Sequence, residues 1–370
     1  MTTHPTTRVF AASIMANVPV LLWGNPGIGK TALIELWGAE WGYHVETVVG
    51  SNREATDFLG FPADKNGVTS YLSLAWAERL REAVKGILFL DELSTSAPTV
   101  QKAMLRVAQE RYVGETKLPD TVAIVAAANP ADVAVDGWDL AAPVANRFLH
   151  LDWHFDSDGW LEGLMSGFEF STAPDLREML ATTDRTIAAR TMVAAFLKTR
   201  PDLIEPGVPK DAITAGRGWP SPRSWTNLVS VAAKLREDDQ EALMVAAIGC
   251  VGEGAGREFV QWFMTADLYD ADEVLADPSI VDWTERPDRI YALVLSLTAI
   301  ARIRGDATTW TQAVNALTMC AAKGRPDLAY PGMRNLMQHM PDGVKVPKAT
   351  ITAFQDLFTS TGRWKAEDAA

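Results

Sequence analysis

The chain has 370 residues, 48% of them hydrophobic, enough for about two to three domains with cores of their own and too apolar for a disordered polymer. Lys and Arg number 34 against 47 Asp and Glu, a net charge of −13, which argues against sequence-independent nucleic-acid binding because phosphate neutralisation needs clustered cations; a local basic channel stays open. The 2 cysteines, Cys250 and Cys320, are too few for a disulfide scaffold or a Cys-based zinc module and fit a reducing compartment.

Residues 9–23 are apolar but lack a charged leader and a small-residue cleavage site. No run reaches the ~18–20 apolar residues of a membrane span, so a cytoplasmic protein with no membrane partner is expected. Residues 19–23 read as a short buried strand ending at glycine; 44–49, 86–90, 121–127 and 147–153 read as four more. Helical patterns over 31–41, 74–84 and 98–111 separate them, which predicts a parallel sheet flanked by helices on both faces. After about residue 155 strand signals thin out. Helices are expected over 174–181, 186–198, 224–235, 241–251, 257–266, 287–304, 308–322 and 333–339, with Pro- and Gly-rich loops between them. Acidic and Pro punctuation over 267–284 suggests a second boundary, and the tail from 363 is expected to fray.

Gly24-Asn25-Pro26-Gly27-Ile28-Gly29-Lys30-Thr31 fits the phosphate-loop pattern GxxxxGK[ST], between a predicted strand and a predicted helix. Its glycines let backbone N–H groups wrap phosphates at a helix N-terminus. Lys30 would reach the β- and γ-phosphates, and the Thr31 hydroxyl would bind Mg²⁺. The strand at 87–90 ends in Asp91-Glu92. Alone, this could equally be a solvated acidic turn; about 60 residues after a phosphate loop, Asp91 is read as a Mg²⁺ partner and Glu92 as the group that polarises water. Strand 122–128 ends in Asn129-Pro130, where an amide at a strand's C-terminal edge could orient water and an Asn-Pro turn is the plain alternative. Arg147 precedes the fifth strand and could donate to a γ-phosphate, as an arginine finger serving a neighbouring subunit. Arg223, in Ser221-Pro222-Arg223, opens a helix and could reach a nucleotide; for an isolated Arg a surface ion pair is the usual reading.

These segments, in this order, resemble an AAA+ ATPase, and most of all the MoxR family, over about residues 15–235. The fold class implied is an α/β P-loop NTPase core with a parallel sheet, then an all-helical lid and a helical C-terminal extension. The expected boundaries are 1–155 for the core, 156–266 for the lid and 267–370 for the extension. By resemblance, Lys30 and Thr31 belong to Walker A, Asp91 and Glu92 to Walker B, Asn129 is sensor 1, Arg147 the arginine finger and Arg223 sensor 2. The stretch from Asp57 to Tyr71 is similar to the helix-2 insert of MoxR and magnesium-chelatase relatives, and 110–118 to their pre-sensor hairpin. The resemblance implies ATP and Mg²⁺ as cofactors, an ATP-dependent ring, expected as a hexamer, and a protein client, with a von Willebrand factor A domain protein as partner. The absence of a GTP-type Asn-Lys-x-Asp signature agrees with ATP. A nucleic-acid motor or loader and a magnesium-chelatase-like subunit are the alternatives; a non-catalytic scaffold would not need the full residue set.

Other signals are set aside. Gly252-Glu253-Gly254-Ala255-Gly256 has no preceding strand and reads as an inter-helix turn. His150 and His154 lack further ligands for a metal site. Trp219, Trp225, Trp262, Trp283 and Trp310 are read as helix-packing residues.

Overall fold

The structure is a computed structural model and describes residues 3–130, 140–168 and 173–355. The tail expected to fray lies outside the described residues. Helix α1 (Pro5–Ala16) opens the chain with Pro at its first position, where a missing N–H costs nothing, and the His4 ring accepts from the Thr6 N–H. It is followed by β1 (Val20–Trp23), α2 (Lys30–Glu40), β2 (His44–Val49) and a hairpin of β3 (Phe61–Lys65) and β4 (Val68–Leu72). Then come α3 (Ala75–Glu82), β5 (Gly86–Asp91), α4 (Pro98–Glu110), a second hairpin of β6 (Tyr112–Val113) and β7 (Thr116–Lys117), β8 (Val122–Ala128), α5 (Ala142–Ala145) and β9 (Leu149–Asp152).

Strands β1, β2, β5, β8 and β9 are the five expected from the sequence. They form one parallel sheet in the order β2-β5-β8-β1-β9. The three inner strands β5, β8 and β1 are buried almost throughout, which is why they are near-continuous apolar runs rather than alternating ones. The fifth strand begins at 149, because Arg147 and Phe148 turn back onto Val144 and Ala145 by backbone hydrogen bonds. The register decides where chemistry can occur. Trp23 pairs with Ala128 and Leu90 with Ala126, so the residues that follow β1, β5 and β8 leave the sheet at one edge. Ligands of open parallel sheets bind beyond the C-terminal ends of the strands.

The hairpin read over 110–118 is present, and the stretch read as an insert, 57–71, also carries a hairpin. The β3–β4 turn is Asn66-Gly67, both at positive φ as a tight hairpin turn requires. Its flanks expose Phe61, Val68 and Leu72, each at least 60% accessible. The short β6–β7 hairpin docks against the base of this insert: the Gly114 N–H donates to the Phe58 carbonyl at 2.8 Å, and Ser73 and Thr116 share a hydroxyl hydrogen bond.

The remainder is helical: α6 (Ser157–Ser166), α7 (Leu176–Met179), α8 (Thr186–Thr199), α9 (Ala212–Ala215), α10 (Pro222–Ala232), α11 (Gln240–Val251), α12 (Glu253–Thr265), α13 (Ala271–Ala276), α14 (Pro287–Arg304), α15 (Ala307–Ala322), α16 (Pro326–Gln338) and α17 (Lys348–Ala353). Gly252 is the turn between α11 and α12. Helix α11 lies so close to β9 that a Cβ on Gly249 would stand 2.4 Å from the His150 carbonyl oxygen, so glycine is required there. Two compact units result, Met1–Arg185 with Asp202–Val260, and Thr186–Pro201 with Gln261–Ala370. Helix α8, which the sequence reading assigns to the lid, is thus part of the second unit, where it packs on α14. That unit's core gathers Trp283, Leu293, Leu297, Trp310, Leu317 and Met333. Trp225, Trp283 and Trp310 are buried as expected, whereas Trp219 and Trp262 are only half-buried.

Candidate nucleotide-binding site

The loop Gly24 to Gly29 connects β1 to α2. The Gly24 N–H still donates to the Ala128 carbonyl at 3.2 Å, so the loop departs directly from the sheet. Gly27 and Gly29 have φ of 80° and 86°, a region L side chains rarely adopt, and Gly29 caps α2 from it. Asn25, Pro26 and Gly27 are exposed and Ile28 is half-buried, so the loop rim is open to a ligand. Lys30 is buried to 7% accessibility, and its ammonium donates to the carbonyls of Gly24 (2.7 Å) and Asn25 (3.0 Å). Desolvation lowers its pKa, and the Asp91 carboxylate opposes that shift. A cation held by carbonyls inside its own loop has donors to exchange for phosphate oxygens.

The Thr31 hydroxyl donates to Asp91 Oδ2 at 2.7 Å, joining the first turn of α2 to the end of β5. Hydroxyl and carboxylate oxygens are hard donors of the kind Mg²⁺ takes, together with water and phosphate, so this pair fits that ion. Glu92 sits at φ 57°, unusual for a non-glycine residue and worth about 1 kcal/mol or more of strain. Its backbone N–H donates to Asp91 Oδ1 at 2.8 Å, and its carboxylate accepts from the Ser51 hydroxyl just past β2. Asn129 follows β8 at the same edge. Its N–H donates to Ser94 Oγ at 3.0 Å, and that hydroxyl also lies 3.3 Å from the Asn129 carbonyl. The structure therefore brings together Gly24 to Thr31, Asp91, Glu92 and Asn129.

Arg147 and Arg223 form a second group. Arg147 is half-buried and donates to the Pro143 carbonyl; burial, and then repulsion from Arg223, lower its pKa. Arg223 is exposed in the first turn of α10. The loop ahead of α10 is tied to this region by residues the sequence reading does not single out. Asn146 binds Trp219 and Ser221, while Arg217 pairs with Asp152 at 2.8 Å and lies 4.3 Å over the Trp23 ring. Ser51, Ser94, Asn146 and Arg217 carry no motif. Ser51 alone had a usable signal, as a hydroxyl just beyond a predicted parallel strand.

His150 is no metal ligand. Its Nδ1 accepts from the Trp23 indole at 2.9 Å and its Nε2 donates to the Ala145 carbonyl at 2.8 Å. Among the described residues no group of three or more His, Cys, Asp or Glu could hold a metal. Desolvation, the largest influence, drops its pKa to about 4. The folded pKa lies below the ordinary 6.5, so the unfolded chain binds the proton more tightly. Stability is full above pH 6.5 and falls as pH drops toward 4, by about 3 kcal/mol in all. His150→Gln should flatten this dependence in urea melts taken between pH 7 and pH 4.5; an unaltered pH profile would exclude His150 as the titrating group.

Fold and site together define an α/β P-loop core with a phosphate loop and an acidic strand end at one sheet edge. Residues 19–148 match the family model of the AAA domain, dynein-related subfamily. Midasin from Giardia intestinalis is 30% identical over 146 residues, 36% of this chain, and the chain spans 3% of that protein's length. A crystal structure from Cytophaga hutchinsonii, described as a candidate ATPase, aligns with 70% of this chain and 87% of its own at 17% identity and a TM-score of 0.42. Among the described residues no helix is long and apolar enough to cross a membrane.

Proposed function

We propose that this protein is a Mg-ATP-hydrolysing, ring-forming remodeller of partner proteins of the MoxR type. The observation that carries the reading is the Thr31–Asp91 hydrogen bond, with Glu92 beside it and Lys30 buried in the phosphate loop. Lys30 and the loop N–H groups bind and orient the phosphates; Thr31 and Asp91 would hold Mg²⁺, which would supply charge neutralisation there. Glu92 orients the attacking water, and Asn129, fixed by Ser94, lies at the edge where that water would sit. Arg147 and Arg223 stand near each other in one protomer, which favours their acting on the same phosphate. Arg147 is assigned to the nucleotide of a neighbouring subunit, so that a ring is needed for turnover. A protein carrying a von Willebrand factor A domain is the partner the resemblance implies. The net charge of −13 favours a protein client over nucleic acid.

The test is the solution mass of Glu92→Gln with and without Mg-ATP. A rise from monomer to about six subunits is expected; a monomer with ATP bound would remove the trans-acting role of Arg147. The exposed insert is assigned to client contact. Phe61→Ala and Tyr71→Ala should retain ATP hydrolysis and lose remodelling of a client, and unchanged remodelling would exclude that role.

A further inference from the structure

We propose that Asn146 is a positioning residue that yokes Arg147 and Arg223 into one two-arginine grip for a phosphate group. The inference rests on the ATP-hydrolysing reading above for the identity of the anion.

Asn146 is 4% accessible, yet it spends its amide on no neighbour in its own element. Its Nδ2 donates to the Trp219 carbonyl at 2.8 Å, and its Oδ1 accepts from Ser221 Oγ at 2.6 Å. Ser221 is itself buried and is the N-cap of α10, accepting from the Ser224 N–H at 3.1 Å. Arg147 follows Asn146 directly, and Arg223 lies two residues after Ser221. One side chain thus fixes the backbone on which both arginines stand. The strap from 216 to 221 is held at its other end as well. Arg217 pairs there with Asp152 and stacks on Trp23, the residue before the phosphate loop.

Two guanidinium groups repel, and among the described residues no carboxylate pairs with either; the Arg147 side chain reaches only the Pro143 carbonyl. Folding gains nothing from holding like charges together. An anion between them reverses the balance, because two planar forks can share its oxygens. Removing Asn146 would leave the Ser221 hydroxyl and the Trp219 carbonyl to Ser224 alone, a residue of α10 that does not tie them to the Arg147 turn. The strap would then be free to shift, and displacement by about 1 Å can cost roughly 10²-fold in rate.

The full chain carrying Asn146→Ala should therefore lose about 10²-fold in kcat for Mg-ATP with KM unchanged. The Asn146→Ala/Arg147→Ala pair should be no slower than Arg147→Ala alone, since both changes disable one unit. If Asn146→Ala does not fold by thermal melting, Asn146→Asp keeps the volume and the acceptor but cannot donate to Trp219. A second arm needs no activity. Cysteines replacing Arg147 and Arg223 are spin-labelled; the native Cys250 and Cys320 are buried and should stay unlabelled. Dipolar broadening between the labels should be present, and should disappear when Asn146 is replaced by Asp. Broadening and kcat that both survive the Asn146 substitution, or rate losses that multiply in the double variant, would overturn the proposal. A wild-type chain that hydrolyses no ATP would instead overturn the functional reading, while the spin-label arm would still decide the role of Asn146.

Discussion

Glu92→Gln is expected to lower ATP hydrolysis by about 10²–10⁴-fold, the usual worth of a positioned general base, and to leave nucleotide affinity unchanged. The geometry separates the two effects. The groups assigned to binding come from the loop between β1 and α2, where Lys30 is anchored, and from the Thr31–Asp91 pair. Glu92 makes none of these contacts; its side chain accepts from Ser51 and its N–H supports Asp91. Gln keeps the shape and can still accept from Ser51, but it cannot take a proton. Phosphate release and fluorescent-nucleotide titration on one preparation check this. Equal loss of binding and hydrolysis would mean that the residue acts through the fold. Ser51→Ala extends the argument. It frees the carboxylate from its hydroxyl partner and should change the hydrolysis rate while the melting temperature holds.

Trp310→Ala is expected to cost the second unit about 3–5 kcal/mol. The indole is 1% accessible in a core of Leu293, Leu297, Leu317 and Met333, and its Nε1 donates to the Leu336 carbonyl at 2.9 Å. Truncation therefore opens a large cavity and leaves the Leu336 carbonyl with only the His339 N–H as donor. Domains have only about 5–15 kcal/mol in hand, so a loss of this size should bring unfolding of the unit into reach at ordinary temperature. Urea melts and the order of proteolytic cleavage check it: sites within 261–355 should open before those within 1–130. Unshifted transitions would show that Trp310 is replaceable by local repacking. Trp310→Phe should recover most of the loss, since it refills the cavity and the His339 N–H still donates to the Leu336 carbonyl.

The glycine loop, the acidic pair at the end of β5 and all five sheet strands were legible in the sequence for a physical reason. Each is a local pattern. A buried parallel strand must be a continuous apolar run, a phosphate loop must place glycines at positive φ, and Asp91-Glu92 must follow a strand end directly. Helix α1 was visible only as apolar residues, because a helix buried over most of its length loses the polar stripe that marks its period. Helix α16 begins earlier than the sequence suggests, since its internal Pro331 masks the pattern. The assignment of α8 to the second unit could not be read at all, because it depends on contacts with α14, about 100 residues away.

What the sequence determined by itself was therefore which polar groups meet at one sheet edge: the loop from Gly24 to Thr31, Asp91 with Glu92, and Asn129. What only the tertiary structure decided was how the remaining polar groups are paired. Ser51 meets Glu92, Ser94 holds Asn129, and Asn146 joins the turn of Arg147 to the cap of Arg223. Those pairings join residues 35 to 75 positions apart in the chain. They arise from sheet order and burial, because a buried polar group must find a partner wherever the packing supplies one.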